Sequence, residues 1–384
     1  MTDVKIVTGL NYGDESKGLV ANAVSTPTCL NILPSNSCQR AHTVVENGVR
    51  KVFRHFGSGT LKGAATYFTD KFLVNPAMFR EEWKELEAMG ITPKVYARIG
   101  AVCVSAIDMF ANVNVEERRG EDSHSSTGCG VWETICRHKA LAPKFPQGMY
   151  VFKDIVAYYE EVLKDENGVL PENVKEFLHG DCLKDNMDDD VIWFYNHVTL
   201  IKDQWEETEL LHSYPLLVFE NGQGLLLDDR YSRDINHNTP AYVGMVEPEK
   251  ILNQSFLRTE VNVEALYVTR SYYTRHGKGQ IGLWSNCECD RDDINPLMFD
   301  STNVPNPNQG TLRYGKIDEL EAKAAAARAV NDSISPFFDV TTSMVVTHCN
   351  EYLNEHLHEA AKNQNLNLYV SYDETNISEA IIHF

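Results

Sequence analysis

Residues 4–24 read Val-Lys-Ile-Val-Thr-Gly-Leu-Asn-Tyr-Gly-Asp-Glu-Ser-Lys-Gly-Leu-Val-Ala-Asn-Ala-Val. The apolar run Val4–Thr8 predicts a strand, and Leu19–Val24 predicts a helix. The polar loop between them holds three glycines, two carboxylates and a lysine. Such a loop suits phosphate: glycines admit backbone amides to the anion, the helix N-terminus offers more, and lysine supplies a point charge. The spacing does not fit Gly-x-x-x-x-Gly-Lys-Ser/Thr, and Asp14-Glu15 is foreign to that motif. A base, a magnesium ligand and a phosphate clamp sharing one loop would account for all three charged side chains.

The chain has 384 residues, of which 43% are hydrophobic, enough for a large core. A net charge of −20 argues against a free nucleic-acid binder, because phosphate contacts dominate that affinity. Small anionic substrates remain open to local arginines and lysines. Nine cysteines at irregular spacing read as reduced thiols of a cytoplasmic protein; the close pair Cys287/Cys289 reads as two ordinary thiols. The N-terminus lacks a secretory pattern, and no apolar run reaches the roughly 20 residues that span a bilayer.

Further along, Val44–Phe53 predicts a hairpin turning at Asn47-Gly48. Helices are expected over Met78–Met89, Ile107–Arg119, Phe152–Leu163, Glu172–Leu178, Asp190–Trp205, Ile317–Val330 and Asn350–Lys362. Strands are expected at Pro215–Glu220, Val345–Thr347 and Leu366–Ser371. Alternation of strands and helices implies an α/β fold with a mostly parallel central β-sheet flanked by helices. The expected organisation is a single domain over 1–384 with a helical insertion at about 150–210. Ligands of such sheets sit at strand C-terminal ends. The loops Gly9–Gly18, Asn221–Gly224 and His348–Asn350 fall there.

At these motifs the chain resembles adenylosuccinate synthetase. Tyr12-Gly-Asp-Glu-Ser-Lys-Gly18 matches the family's Trp-Gly-Asp-Glu-Gly-Lys-Gly with two changes. Gln39-Arg-Ala-His-Thr43 stands where the family has Asn-Ala-Gly-His-Thr. Thr127-Gly-Cys-Gly130 matches Thr-Gly-x-Gly, and Glu220-Asn-Gly-Gln-Gly224 matches Glu-Gly-Ala-Gln-Gly. The resemblance implies a phosphate-loop NTPase-related fold and a two-step ligation. A purine 6-oxygen is phosphorylated, and the amine of L-aspartate then displaces phosphate at C6. It assigns Asp14 as general base and magnesium ligand, the Ala41 carbonyl as second magnesium ligand, His42 as general acid and Lys17 as γ-phosphate clamp. Gly13, Glu15, Ser16, Gln39, Arg40, Ser126, Thr127 and Gln223 fall at acceptor-nucleotide positions, with Arg137 reaching a neighbouring subunit in a homodimer. Gly18, Thr43, His348, Asn350, Ser371 and Asp373 fall at the donor nucleotide. Asn236-His-Asn238 and Thr239-Pro240 fall near the family's monophosphate loop.

The departures carry the specificity reading. The family reads GTP with Thr-Lys-x-Asp; here the strand ends in Thr347-His-Cys-Asn350. An asparagine offers one acceptor and one donor group, which suits an adenine edge and predicts ATP or dATP as donor. The alternative is that Asn350 only caps a helix. The family's arginine-rich aspartate loop is reduced to Asn308-Gln309-Gly310-Thr311-Leu312-Arg313, one arginine with neutral donors. These changes resemble the phage branch, which makes 2-aminodeoxyadenylosuccinate from dGMP, L-aspartate and a nucleoside triphosphate, and Ser16 is the candidate acceptor for the 2-amino group. That reading puts the enzyme in a host cytoplasm. Ordinary adenylosuccinate synthesis from IMP is the alternative; a nucleotide-binding module without ligase activity is the alternative of another class, disfavoured by the intact Asp14, Lys17, His42 and Gln223.

Overall fold

The computed structural model describes residues 1–143, 152–233, 237–239, 241–297 and 308–379. Its frame is a ten-stranded sheet. In chain order the strands are β1 (Thr2–Gly9), β2 (Leu30–Leu33), β3 (Ala65–Phe68), β4 (Val95–Arg98), β5 (Thr199–Ile201), β6 (Leu216–Gly224), β7 (Val261–Arg270), β8 (Val340–Thr347), β9 (Asn367–Val370) and β10 (Ser378–Glu379). Their order across the sheet is β10-β9-β8-β7-β1-β6-β2-β3-β4-β5. Every neighbouring pair runs parallel except β9 with β10.

β1 lies between β6 and β7, so both of its edges are paired. Its Val4, Ile6 and Val7 are wholly buried, as a central parallel strand with helices on both faces requires. The expected strand and helix thus extend slightly, to Thr2–Gly9 and Lys17–Val24. The hairpin pairs His42–Glu46 with Val49–Phe53, and Asn47 and Gly48 both take positive φ, the geometry of a two-residue turn.

Two expectations change. The helix predicted over Asp190–Trp205 is instead a helix Leu183–His197, the edge strand β5 and a second helix Gln204–His212. Thr199-Leu-Ile201 holds β-branched residues that pair with Tyr96–Arg98, and this sheet pairing overrides the acidic helical pattern around it. The helix expected from Asn350 begins at Glu355, and Asn350 sits in a turn; its capping role is therefore excluded.

Beside β3 the core is aromatic. Phe56 stacks on Phe79 at 5.1 Å, Phe68 on Phe72 at 5.1 Å, and Phe194 meets Phe79 edge-on at 5.2 Å. Each such pair contributes about 0.5–1.5 kcal/mol beyond area burial. Phe194 comes from Leu183–His197, so this cluster ties that helix to the sheet. Among the described residues no helix is long and apolar enough to cross a membrane.

Candidate active site

The loop after β1 is braced from three sides. Arg328, on the helix Glu319–Ser333, donates to the Leu10 carbonyl at 3.1 Å and to Asn11 Oδ1 at 3.2 Å. Arg270, the last residue of β7, donates to the Asp14 carbonyl at 2.6 Å. Thr347, the last residue of β8, donates to the Glu15 carbonyl at 3.2 Å. Within the loop, Glu15 accepts from the amides of Asn11 and Gly13 at 3.1 and 2.8 Å and is 3% exposed. Lys17 Nζ donates to the Gly13 carbonyl at 2.5 Å and lies 3.6 Å from Glu15 Oε2. Asp14 alone of these charged side chains turns outward, its carboxylate 25% exposed.

The hairpin reaches this loop because residue 18 is glycine. A Cβ there would lie 2.7 Å from the Thr43 carbonyl and 2.9 Å from His42 Cβ. The close approach carries His42 onto the loop. His42 Nδ1 is 2.5 Å from Glu220 Oε1, and Glu220 also accepts from the Ser58 amide and hydroxyl. Arg40 Nη1 lies 3.4 Å from the same carboxylate. Burial opposes ionisation of Glu220, but Arg40, His42 and Ser58 together hold its pKa down to about 2. Burial and then the Arg40 charge lower His42 to about 4. His42 is therefore neutral at pH 7. With an ionised carboxylate at Nδ1, that nitrogen carries the proton and Nε2 is left as the free acceptor.

Nε2 of His42 and Oγ1 of Thr43 are buried polar atoms without a hydrogen-bond partner among the described residues. Both residues line one cavity of about 390 Å³. Gly13, Asp14, Ser16, Lys17, Gly18 and Ala41 line it from the loop and hairpin, and His348, Asn350 and Asp373 from the ends of β8 and β9. Buried orphaned atoms call for a ligand.

The residues expected to hold the acceptor nucleotide meet one another in neighbouring loops. Gly13 packs on Gln223, whose Oε1 would be 3.0 Å from a Cβ there. Thr127 Oγ1 donates to Gln39 at 3.3 Å, and Asn308 Nδ2 donates to the Thr127 carbonyl at 3.2 Å. Gln309 donates to the Ser125 carbonyl at 2.9 Å, and Ser126 Oγ donates to Asn112 at 2.8 Å. Gly310 and Thr311 are exposed beside them. Thr239 Oγ1 is another buried atom without a partner among the described residues, whereas Asn236 and Pro240 lie outside them.

Several assignments move. Glu15 is a brace for the loop and faces inward. Arg40 is 3% exposed and donates to the carbonyls of Arg54 and Phe56 beneath Glu220, acceptors that a buried guanidinium requires. Arg137 is 1% exposed in a fork with Asp108 at 2.8 Å on both arms, away from this cavity. Ser371 is buried and donates to the Asp373 carbonyl at 2.6 Å. The Asp373 carboxylate accepts from Thr375 and Asn376 in its own turn. Arg313 Nη1 pairs with Glu288 at 2.9 Å at a half-buried position.

Arg50, Arg270, Glu351 and Tyr372 line the cavity and were not singled out in the sequence. Arg270 had one signal, a basic residue closing an apolar strand at its C-terminal end. Glu351 accepts from the Tyr272 hydroxyl, a contact with no sequence trace.

A divalent cation fits the donor set. Asp14 and Ala41 both line the cavity, and a carboxylate with a backbone carbonyl is the hard-oxygen chemistry that such a cation takes. Among the described residues no three His, Cys, Asp or Glu side chains converge as a metal cage.

Residues 6–291 match the sequence model of adenylosuccinate synthetase. Among curated proteins, the adenylosuccinate synthetase of Delftia acidovorans is 25% identical over 304 residues, covering 71% of this chain and 63% of that protein. That of Legionella pneumophila is 25% identical over 288 residues with the same coverages. The chain thus spans less than two thirds of the length of these relatives. Among solved structures, cyanophage S-2L succinoaminodeoxyadenylate synthetase, bound to dGMP and dATP, superposes with a TM-score of 0.65 at 15% identity. That match covers 99% of this chain and 95% of the other. Fully ligated adenylosuccinate synthetase from Plasmodium falciparum gives 0.65 at 14% identity, covering 90% and 77%. At these identities the structural likeness speaks for the fold.

Proposed function

This chain belongs to the adenylosuccinate synthetase family, and we propose that within it the protein joins L-aspartate to C6 of dGMP, using ATP or dATP. The product is 2-amino-2′-deoxyadenylosuccinate, formed through a 6-phosphoryl intermediate. The observation that carries the ligase reading is the pair of orphaned buried atoms, His42 Nε2 and Thr43 Oγ1, on one cavity wall with Asp14 and Lys17. The dGMP and adenine-donor reading is supported by Asn350 on the same wall and by likeness to a fold neighbour bound to dGMP and dATP.

In this mechanism Asp14 takes the proton from purine N1, leaving the 6-oxygen to attack the γ-phosphorus. His42 Nε2 faces the transferring phosphoryl group. The incoming negative charge raises the affinity of His42 for a proton, so the neutral imidazole of the empty site becomes a donor when the nucleotide arrives. Lys17 leaves the Gly13 carbonyl for phosphate oxygens. Asp14 and the Ala41 carbonyl would hold magnesium, which would supply neutralising charge to the phosphates. Gln223 orients the purine, and Thr127, Gln39 and Thr239 take the 5′-phosphate. Asn308, Gln309, Gly310, Thr311 and Arg313 take the aspartate; Arg313 exchanges Glu288 for a substrate carboxylate. The amine of aspartate then displaces phosphate at C6. A homodimer in a host cytoplasm belongs to the same proposal.

The test crosses dGMP, GMP and IMP with ATP, dATP and GTP in the presence of L-aspartate and magnesium. Turnover with dGMP and an adenine donor is expected. Turnover with IMP and GTP alone would overturn the specificity reading and leave ordinary adenylosuccinate synthesis.

A further inference from the structure

The cavity of about 390 Å³ has two kinds of wall. The loop after β1 and the hairpin bring Lys17 and His42, groups that suit phosphate. The turn after β8 brings Asn350 and Glu351, and the segment after β9 brings Glu374. Carboxylates repel phosphate, so this second wall is the one that suits a base. The turn that carries Glu351 is held from both sides. The Glu351 amide donates to the His348 carbonyl at 3.0 Å, and Asn295 Nδ2 donates to the Glu351 carbonyl at 3.0 Å. Ser271 Oγ donates to the His348 carbonyl at 3.1 Å. Asn354, 2% exposed, donates to the carbonyls of Ser271 and Ile317 at 2.9 Å each. His348 takes a φ of 60°, a left-handed conformation that persists where surrounding contacts over-determine it.

The Glu351 side chain is aimed as well. Arg270, whose Nε holds the Asp14 carbonyl, donates from Nη1 to the Tyr272 hydroxyl at 3.1 Å. Tyr272 is 1% exposed, and its hydroxyl donates to Glu351 Oε2. Burial raises the pKa of that hydroxyl, so it keeps its proton and remains a donor. We propose that Glu351 selects adenine over guanine at the donor site, its carboxylate accepting a 6-amino group and repelling a 6-oxo group. The inference rests on the adenine-donor reading above and names the side chain behind it. Tyr272 is a positioning residue that acts through Glu351.

The chemistry of the two bases supports the choice. Adenine carries an amino donor at C6, where guanine carries an acceptor oxygen. A carboxylate only accepts, so it gains a hydrogen bond from the first and meets like charge on the second. A carboxylate that offers both oxygens side by side would read guanine instead, through N1–H and the 2-amino group. The Tyr272 hydroxyl already engages Oε2, so Glu351 does not present that fork. Asn350, its neighbour on the same wall, brings an amide donor for a ring nitrogen of adenine.

The experiment measures binding of ATP, ITP, GTP and inorganic tripolyphosphate to the full chain by calorimetry with magnesium. ITP differs from ATP only at the 6-position and the N1 proton, and tripolyphosphate has no base. The parent should bind ATP more tightly than ITP. Glu351→Gln, whose amide can donate to a 6-oxo group, should move the ATP-to-ITP affinity ratio toward ITP by about 10- to 100-fold, as expected for a hydrogen bond to a charged group. Its affinity for tripolyphosphate should stay as in the parent. Tyr272→Phe keeps the carboxylate but frees it, and should move the ratio the same way by less. An unchanged ratio in Glu351→Gln with a parent that prefers ATP overturns this inference and leaves the adenine reading standing. Equal weakening of ATP, ITP and tripolyphosphate in Glu351→Gln also overturns it, since that is the mark of a structural role. A parent that prefers GTP and ITP refutes the adenine reading and the inference with it. Binding decides all of these whether or not the protein turns over dGMP.

Discussion

The two halves of the candidate site are built differently. In the proposed reading the donor half hangs on ends of the parallel sheet: Thr269 and Arg270 of β7 and Thr347 of β8 hydrogen-bond to the loop at Asn11–Glu15. In the same reading the acceptor half is made of loops 123–130 and 308–313, which hold each other through Asn308 and Gln309, with Lys278 bracing Ser125 from a third segment. The lesson is that a strand-end site changes by exchanging a side chain on a fixed backbone, as at Asn350. A loop site changes by rebuilding its contacts, as in the stretch around Arg313.

The sharpest way to break this contrast is at Asp14. Asp14→Asn should lower kcat by about 10²- to 10⁴-fold, the usual worth of a general base. Nucleotide binding, measured by calorimetry, should survive, because the loop is braced through the Asp14 carbonyl. Loss of binding together with rate would mean that the loop depends on the side chain after all.

Glu220→Gln tests whether the donor half is one charge network. It leaves Arg40 buried without its counter-charge, which should cost about 3–5 kcal/mol of stability in urea unfolding. Arg40→Met in the same background should recover part of that loss. Additive losses would instead show that Arg40 and Glu220 act separately.

Asn350→Asp sharpens the comparison at the donor base. Donor preference should move from adenine toward guanine nucleotides by about 10- to 100-fold in kcat/KM, as expected for one bidentate contact. An unchanged ratio would place base selection elsewhere, with Glu351 the next residue to change.

Protons should affect the sheet-anchored half more than the loops. His55 is wholly buried, with Nδ1 3.0 Å from Glu82 and Nε2 accepting from the Asn75 amide at 3.1 Å. Burial lowers its pKa, so the folded protein keeps it neutral at a pH where the unfolded chain, near 6.5, is already protonated. The unfolded state then binds more protons, and stability falls as pH drops below about 6.5. Glu82 is also held below its ordinary value: burial opposes this, but His55 and the amides of Arg54 and His55 outweigh it, extending the loss below about 4.5. Melting temperature between pH 7 and 5 should fall in the parent and fall less in His55→Asn.

The smallest effect is expected at Asn308. Asn308→Ala removes one half-exposed bridge to Thr127, worth about 0.5–1.5 kcal/mol, and should raise KM for the acceptor nucleotide less than about tenfold with kcat nearly kept. A collapse of kcat would show that the loops are as rigid as the strand ends.

How much could be read in advance follows the same division. Val4–Thr8, the Asn47-Gly48 hairpin and the gathering of Asp14, Lys17 and His42 on one cavity were legible because local pattern and short motifs encode them. The edge strand β5 was not, because three residues in an acidic helical stretch become a strand only through pairing with β4. Arg40 was misplaced for a similar reason. A polar residue inside a binding motif reads as a ligand contact until its burial beneath Glu220 is seen. Arg137 and Ser371 followed the motif alignment; here Arg137 is forked with Asp108, and Ser371 donates to the Asp373 carbonyl, contacts no motif announces.

By itself the sequence determined a parallel α/β frame and the motifs that mark the family, since periodicity, turn residues and motif spacing are local quantities. Tertiary structure alone decided which charged groups face a ligand and which brace the fold. It turned Glu15 and Arg40 inward and left His42 Nε2 and Thr43 Oγ1 without partners among the described residues. These outcomes depend on desolvation and on contacts between residues far apart in the chain, such as His42 and Glu220, 178 positions apart.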